Sequence, residues 1–343
     1  YLIRSQGEEW YKQRTVVSKK MLKLGEVSNF STEMGEVSDD FVSRLGKIRD
    51  VNGEVPKLER ELFKWAMESI GTFIFEERIG CLGDQPSSMA QSFIENMEGF
   101  FKTLQPLLYN LPFYKLWKTQ LWQEFESYSD NIMEIGHHMV EKVRLYWVFA
   151  VIIYTSTATT WCLYLLAKHP EVQERLLSEI NAAADKNGDV AADVLCRLPL
   201  VKGVVKETLR MYPITYSTSR NMTEDTEIGG YNVPAGTHVQ ANLYGMYHDP
   251  ALFPEPESFR PERWLRENSG DMDPTVKAMS NLVWGHGARM CIGRRVAEQE
   301  MHITLSKIVQ KFKLSYEHDD VEPVLNTMMT PDRPLRVKLT PRF

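Results

Sequence analysis

Cysteine is scarce in this chain, and none of it is arranged in pairs. Cys81, Cys162, Cys196 and Cys291 lie far apart, with no Cys-x-x-Cys among them. That spacing argues against a zinc site and a disulfide scaffold, and it fits a reducing compartment. Positive charge is not in excess: 40 Lys and Arg stand against 46 Asp and Glu, a net charge of −6. The molecule as a whole therefore lacks a nucleic-acid signature. There is no internal repeat and no low-complexity linker. The sequence opens on Tyr1 rather than Met, with no signal peptide, transit peptide or anchor at its start. We read it as a piece of a longer protein, whose missing address says nothing of localisation. Only one long uncharged run is present, residues 145–167. Hydrophobic residues make up 43% of the 343, enough for a large core. Length alone suggests two domains, but helix and strand signals run almost end to end, so a single unit over 1–343 is expected.

One stretch organises the rest. Residues 282–298 read LVWGHGARMCIGRRVAE. A loop punctuated by Gly285 and Gly287 runs into Cys291, and Gly293 then opens an apolar helix through Val296, Met301, Ile303, Leu305, Ile308 and Val309. Backbone N–H groups of such a loop, and the positive end of the helix, favour a thiolate over a thiol. Arg289 adds a fixed cation. The pattern suits an anionic sulfur with an anionic ligand beside it. An isolated cysteine in a helix-capping turn would be the plainer explanation.

The stretch resembles the haem loop of the cytochrome P-450 family, aromatic-Gly-x-Gly-x-Arg-x-Cys-x-Gly, with Trp284 where the family usually has Phe. The resemblance implies haem b with the Cys291 thiolate as axial ligand and metal-binding residue, and Arg289 paired with a haem propionate. It implies a mainly α fold with a smaller β-rich part (α+β), helical over roughly 1–212 and carrying strands and the haem loop over 213–343. Near the start, Trp10 and Arg14 stand four apart on one helical face. In the family such a pair contacts the propionates. Arg220, after a strand expected over 214–219, occupies a position often used by another propionate partner. Glu207 and Arg210, with Arg263 of the FRPERW segment, match the family's Glu-Arg-Arg cluster. One carboxylate held by two guanidiniums is a preorganised staple, structural rather than catalytic. The family's β-rich region and first helices, which precede the Trp-Arg helix, are expected to be missing.

Helices are expected over 7–24, from Met34 to Ile48, from Leu58 to Phe73, over 88–104 and over 120–143, with the apolar connector between the last two broken by Pro106 and Pro112. In the family that connector roofs the substrate channel and touches the membrane. His137 and His138 are expected on a solvated helix face. By length and polarity 145–167 could cross a membrane, but it equally suits the family's central helix over the haem. There the family has Ala-Gly-x-acid-Thr-Thr. Counting back from Trp161 puts Ile153 at the acid, Tyr154 at the first Thr and Thr155 at the second. The relay acid is absent, and the connection before this helix is shorter than the family's. Thr155 is the candidate catalytic alcohol, against the alternative that its hydroxyl bonds its own helix. Further strands are expected over 226–233, 238–243 and in the tail 312–339, around a turn at 330–332.

The double arginine Arg294-Arg295 and the ending TPDRPLRVKL resemble animal mitochondrial members, the vitamin D 24-hydroxylase and sterol side-chain enzymes among them. That implies a mitochondrial enzyme of the inner membrane's matrix side, in peripheral membrane contact, acting on a lipophilic small molecule. It also implies an adrenodoxin-like ferredoxin as electron donor, met by Lys202, Lys206, Arg294 and Arg295. Two functions follow: a haem-thiolate monooxygenase of sterol- or secosteroid-like substrates, or a truncated, inactive remnant that at most binds haem or a partner.

Overall fold

A computed structural model of the chain describes residues 7–139, 146–186, 190–268 and 273–342. Helices come first: Gly7–Met21 (α1), Leu24–Ser28 (α2), Ser31–Ile48 (α3), Leu58–Phe75 (α4), Ser88–Tyr109 (α5) and Gln120–Met139 (α6). Tyr146–Lys168 (α7), Pro170–Ala182 (α8), Ala192–Leu195 (α9) and Pro199–Met211 (α10) complete the helical part. Strands Ser217–Asn221 (β1), Thr226–Ile228 (β2), Tyr231–Val233 (β3) and His238–Asn242 (β4) follow, then Leu243–Tyr247 (α11) and Pro274–Met279 (α12). Arg294–Lys311 (α13) leads into Phe312–Ser315 (β5), Pro323–Asn326 (β6), Met328–Pro331 (β7) and Lys338–Pro341 (β8). The fold is mainly α with a small β part, as expected. Among the described residues the strands form four antiparallel pairs: β1 with β4, β2 with β3, β5 with β8 and β6 with β7.

Periodicity explains the outer helices. In α3, Met34, Val37, Phe41 and Leu45 recur on one face and are buried. α7 is apolar all round, and its second half is correspondingly enclosed: Trp161, Cys162 and Leu166 are fully buried, with α4, α10, α13 and β5 packed about it. From Val151 onward the uncharged run is thus a core helix. Among the described residues, no helix is long and apolar enough to cross a membrane.

Some boundaries differ from expectation. α5 continues through Pro106 to Tyr109, because a proline in the last turn costs one helical bond and Asn110 N–H still closes onto the Pro106 carbonyl at 3.0 Å. The first strand begins at Ser217, not Ile214. The tail hairpin turns at Thr327, with φ 41°, rather than at 330–332. The side chains of His137 and His138, and residues 140–143, lie outside the described residues.

α13 runs beneath the future site and is packed by α3, α7, α8 and α10. Its polar residues are buried and mostly satisfied: Thr304 shares a 2.6 Å hydrogen bond with Ser38, and Gln299 donates to the Val27 carbonyl at 3.0 Å. A main core extends from Met21 to Leu339. A second, small cluster of Leu243, Tyr247, Phe253 and Val276 packs against Trp264, Leu282 and Val283, next to the cysteine loop.

Candidate functional site: a cavity over the Cys291 loop

The loop reaches Cys291 through backbone that only glycine adopts without strain. Gly285 has φ 79° and Gly287 φ 70°. Cys291 N–H closes the loop onto the Trp284 carbonyl at 2.6 Å, and Met290 N–H onto Gly287 at 3.0 Å. Gly293 is the N-cap of α13. Its N–H and that of Arg294 favour the Cys291 thiolate, as does the Arg14 cation. Burial outweighs them, so the thiol is pushed above its ordinary value in the protein alone. The lowering expected from loop and helix dipole is therefore present but is the smaller effect.

A cavity of about 1010 Å³ opens over the sulfur. α1 contributes Trp10 and Arg14, α7 contributes Val151, Tyr154, Thr155 and Ala158, and β1 contributes Ser219 and Arg220. Leu209, Ile214, Ala297 and Met301 line it with apolar surface. The Arg289 guanidinium lies 4.0 Å over the Trp10 ring. Arg14 donates to the Met290 carbonyl at 2.5 Å, and Arg220 to the His286 carbonyl at 3.2 Å. The guanidiniums feel one another: desolvation, then Arg289, lowers the Arg14 pKa, and desolvation, then Arg220, lowers that of Arg289. Three crowded cations beside a thiol form a ring suited to an anionic guest. All five residues expected at a cofactor, Trp10, Arg14, Arg220, Arg289 and Cys291, thus border one space.

Thr155 borders it as well. Its Oγ1 is buried with no hydrogen-bond partner among the described residues, so the helix-bonded alternative does not hold. Its neighbours do bond the helix, Ser156 to Ile153 O and Thr159 to Thr155 O. Ile153 is buried and is not part of the cavity wall.

Beneath the loop, Glu207 is fully buried and fully engaged. One oxygen accepts from Arg210 at 2.9 Å, Arg263 at 3.1 Å and the Arg260 N–H at 3.2 Å; the other accepts from the Trp264 indole at 2.8 Å. Arg210 also donates to the Tyr247 carbonyl at 2.9 Å. The Tyr247 hydroxyl donates to Met279 O at 2.9 Å and accepts from Val283 N–H at 3.0 Å, so the staple reaches the loop through a phenol. Trp264 and Tyr247 were missed by sequence reading. Trp264 directly follows Arg263 and could have been suspected; Tyr247 gave no signal. Cavity-lining His238, bonded to Asn221 at 2.7 Å, was equally silent.

Of the four expected docking cations, Arg294 is committed internally, to Glu298 at 2.9 Å and Asn281 at 2.7 Å. Lys206 lies half-buried over the Trp264 ring at 5.6 Å, within the field of Lys202, Arg294 and Glu298. Arg295 is exposed, 3.6 Å from Glu298. The cations do gather, but around a carboxylate.

The sequence profile of cytochrome P-450 matches residues 1–147 and 149–339. The chain belongs to the cytochrome P-450 family. It is 64% identical to cytochrome P-450 10 of Lymnaea stagnalis over 374 residues, covering 99% of this chain and 69% of that protein. It is 31% identical to the mitochondrial cholesterol side-chain cleavage enzyme of Oncorhynchus mykiss and 30% to the mitochondrial sterol 26-hydroxylase of Rattus norvegicus, covering 98% of this chain and 72% of each relative. These alignments are longer than the 343-residue chain, so the relatives carry residues with no counterpart here. Membership makes the protein a cytochrome P-450 monooxygenase whose cofactor is haem held by a cysteine thiolate. The donor set fits that cofactor: one cysteine and three guanidiniums on one cavity. The other cysteines are away from it; burial pushes Cys81 strongly up and Cys162 to about 12. A metal-bound thiol is deprotonated outright, which would cancel the burial penalty at Cys291.

Proposed function

We propose that the protein is a mitochondrial haem-thiolate monooxygenase that inserts one oxygen atom from dioxygen into a sterol- or secosteroid-like substrate. The observation that carries this reading is Cys291 on a cavity bordered by Arg14, Arg220 and Arg289. Cys291 would hold the iron, and the three guanidiniums with Trp10 would hold the propionates. The bound cofactor supplies dioxygen activation. The chain supplies the rest. Val151, Ala158, Leu209, Ile214 and Met301 exclude water and favour an apolar guest. Thr155 Oγ1, buried with no hydrogen-bond partner among the described residues, would hold a proton at the cavity wall. Relatives named for sterol 26-hydroxylation and cholesterol side-chain cleavage support the substrate class and the mitochondrial location; within the mitochondrion, the matrix side of the inner membrane is the site this reading assigns.

Electrons would come from an acidic ferredoxin docking at Lys202, Lys206, Arg294 and Arg295, with Glu298 moderating the patch. Membrane contact would use Leu108, Leu111, Phe113, Leu116 and Trp117, exposed together where α5 leads towards α6. The inactive haem-binding remnant is the second reading, favoured by Ile153 in the acid's place. The deciding measurement is the absorption spectrum of haem-loaded protein, reduced under carbon monoxide. A strongly red-shifted Soret band that Cys291→Ser abolishes is expected; an unshifted band would overturn the thiolate assignment. Sterol hydroxylation with ferredoxin then separates the enzyme from the remnant.

A further inference from the structure

Val151 lies across the cradle of the cysteine. A methyl built on Gly293 would stand 2.7 Å from Val151 Cγ2, so the valine is packed on that glycine's backbone. Gly293 is itself the residue whose N–H favours the Cys291 thiolate. Val151 is therefore in contact with the sulfur's own support, while both residues border the cavity. A flat macrocycle seated on the sulfur needs about 3.5–4 Å of clearance to the carbon atoms on each of its faces. At the Val151–Gly293 contact there is no such layer. Three features of the sequence accompany this contact. The family's Ala-Gly-x-acid-Thr-Thr pattern, counted through Ile153, puts its glycine at position 151. The family profile is interrupted at residue 148, three positions earlier. The relatives also carry residues this chain lacks.

We propose that Val151 determines how readily this chain takes up haem, by occupying part of the layer between α7 and the Cys291 loop. Cofactor uptake then requires the first described turns of α7 to move off Gly293, and shortening the side chain removes that requirement. The inference rests on Cys291 being the haem ligand.

The test is titration of the haem-free protein with haemin, followed at the Soret band, for wild type, Val151→Ala, Val151→Gly and Ile152→Ala. Alanine keeps the helix propensity that glycine loses, so the first variant guards against misfolding in the second. Ile152 is buried but does not line the cavity, and its truncation controls for a general loosening of α7. Both Val151 variants are expected to bind haem roughly tenfold tighter or more than wild type, the scale of relieving an overpacked contact. Ile152→Ala should not. Equal affinity of wild type and Val151→Ala, or an equal gain in Ile152→Ala, overturns the proposal while leaving haem binding intact. Adding Cys291→Ser to Val151→Ala should abolish the red-shifted reduced carbon monoxide band. If the band persists, the ligand assignment fails and the proposal with it.

Discussion

Arg289 stacks its guanidinium 4.0 Å above the Trp10 ring, joining the cysteine loop to the first described helix across most of the chain. Arg14, one turn further along, secures the same loop through the Met290 carbonyl. Trp10 is buried, so Trp10→Ala should destabilise the fold by about 3–5 kcal/mol. Trp10→Phe keeps an aromatic face and should cost about 1 kcal/mol or less of cation–π attraction. Urea unfolding of both variants checks the ratio. A cost for the alanine variant no larger than for phenylalanine would mean that the ring does not clasp the loop.

Glu207 is a buried charge with four donors. Glu207→Ala leaves Arg210 and Arg263 without their carboxylate and should cost about 3–5 kcal/mol. Arg263→Lys should also lose stability, because an ammonium cannot reproduce the fork that reaches both Glu207 and the Glu255 carbonyl. Denaturant midpoints measure both. A neutral Arg263→Lys would show that only the charge matters there.

Thr155 holds a hydroxyl with no hydrogen-bond partner among the described residues. Thr155→Val keeps the shape and removes the polar atom, and should raise stability by about 1 kcal/mol. If the hydroxyl also serves the proton path, the same variant should release more peroxide per electron consumed. Thermal unfolding and a peroxide assay on the reduced, haem-loaded protein read the two effects separately. A valine variant less stable than wild type would show that the hydroxyl has a bound partner after all.

α13 buries two titratable groups two residues apart, and burial drives each towards its neutral form. Burial pushes Glu300 well above the usual carboxylate range, with only the Ser69 hydroxyl opposing, and pushes His302 down to about 3. The signs are opposite. Unfolded His302 takes up a proton below about 6.5 while folded His302 does not, so stability falls as pH drops from about 6.5 towards 3, by up to about 1.4 kcal/mol per unit. Unfolded Glu300 releases its proton above about 4.5 while folded Glu300 keeps it, so stability falls as pH rises from there to the folded pKa. Glu300→Gln should flatten the upper limb of the stability profile and His302→Gln the lower one. Denaturation between pH 4 and 8 checks this; a Glu300→Gln profile parallel to wild type would show that the carboxyl is already ionised.

What was legible in the sequence was whatever depends on spacing. The Gly-Cys-Gly loop, the i,i+4 pair Trp10 and Arg14, and the stripe of α3 are matters of spacing, and the fold brings the loop and the pair to one cavity and buries the stripe. Contacts that arise only when distant segments meet were not legible. The phenol of Tyr247, the indole of Trp264 and the packing of Val151 on Gly293 depend on three-dimensional neighbours that no spacing encodes. Direction was misread where two effects compete: the loop does favour the Cys291 thiolate, but burial is larger, and burial cannot be read from a linear motif. The turn at Thr327 escaped because proline at 331 is the stronger local signal and the weaker residue makes the bend.

The cysteine loop rests on its own small core of Leu243, Tyr247, Phe253 and Val276, with the Tyr247 hydroxyl fixing its backbone from below. The conformational entropy of ordering that floor is therefore lost when the chain folds, rather than when a guest arrives. The floor is preorganised and the wall made by α7 is the side that must yield. Two lesions of similar cost would then differ in kind. Damage to the floor, as in Tyr247→Phe, should slow cofactor capture by making every encounter order the loop anew, whereas trimming the wall at Val151 should ease capture by removing the movement it requires.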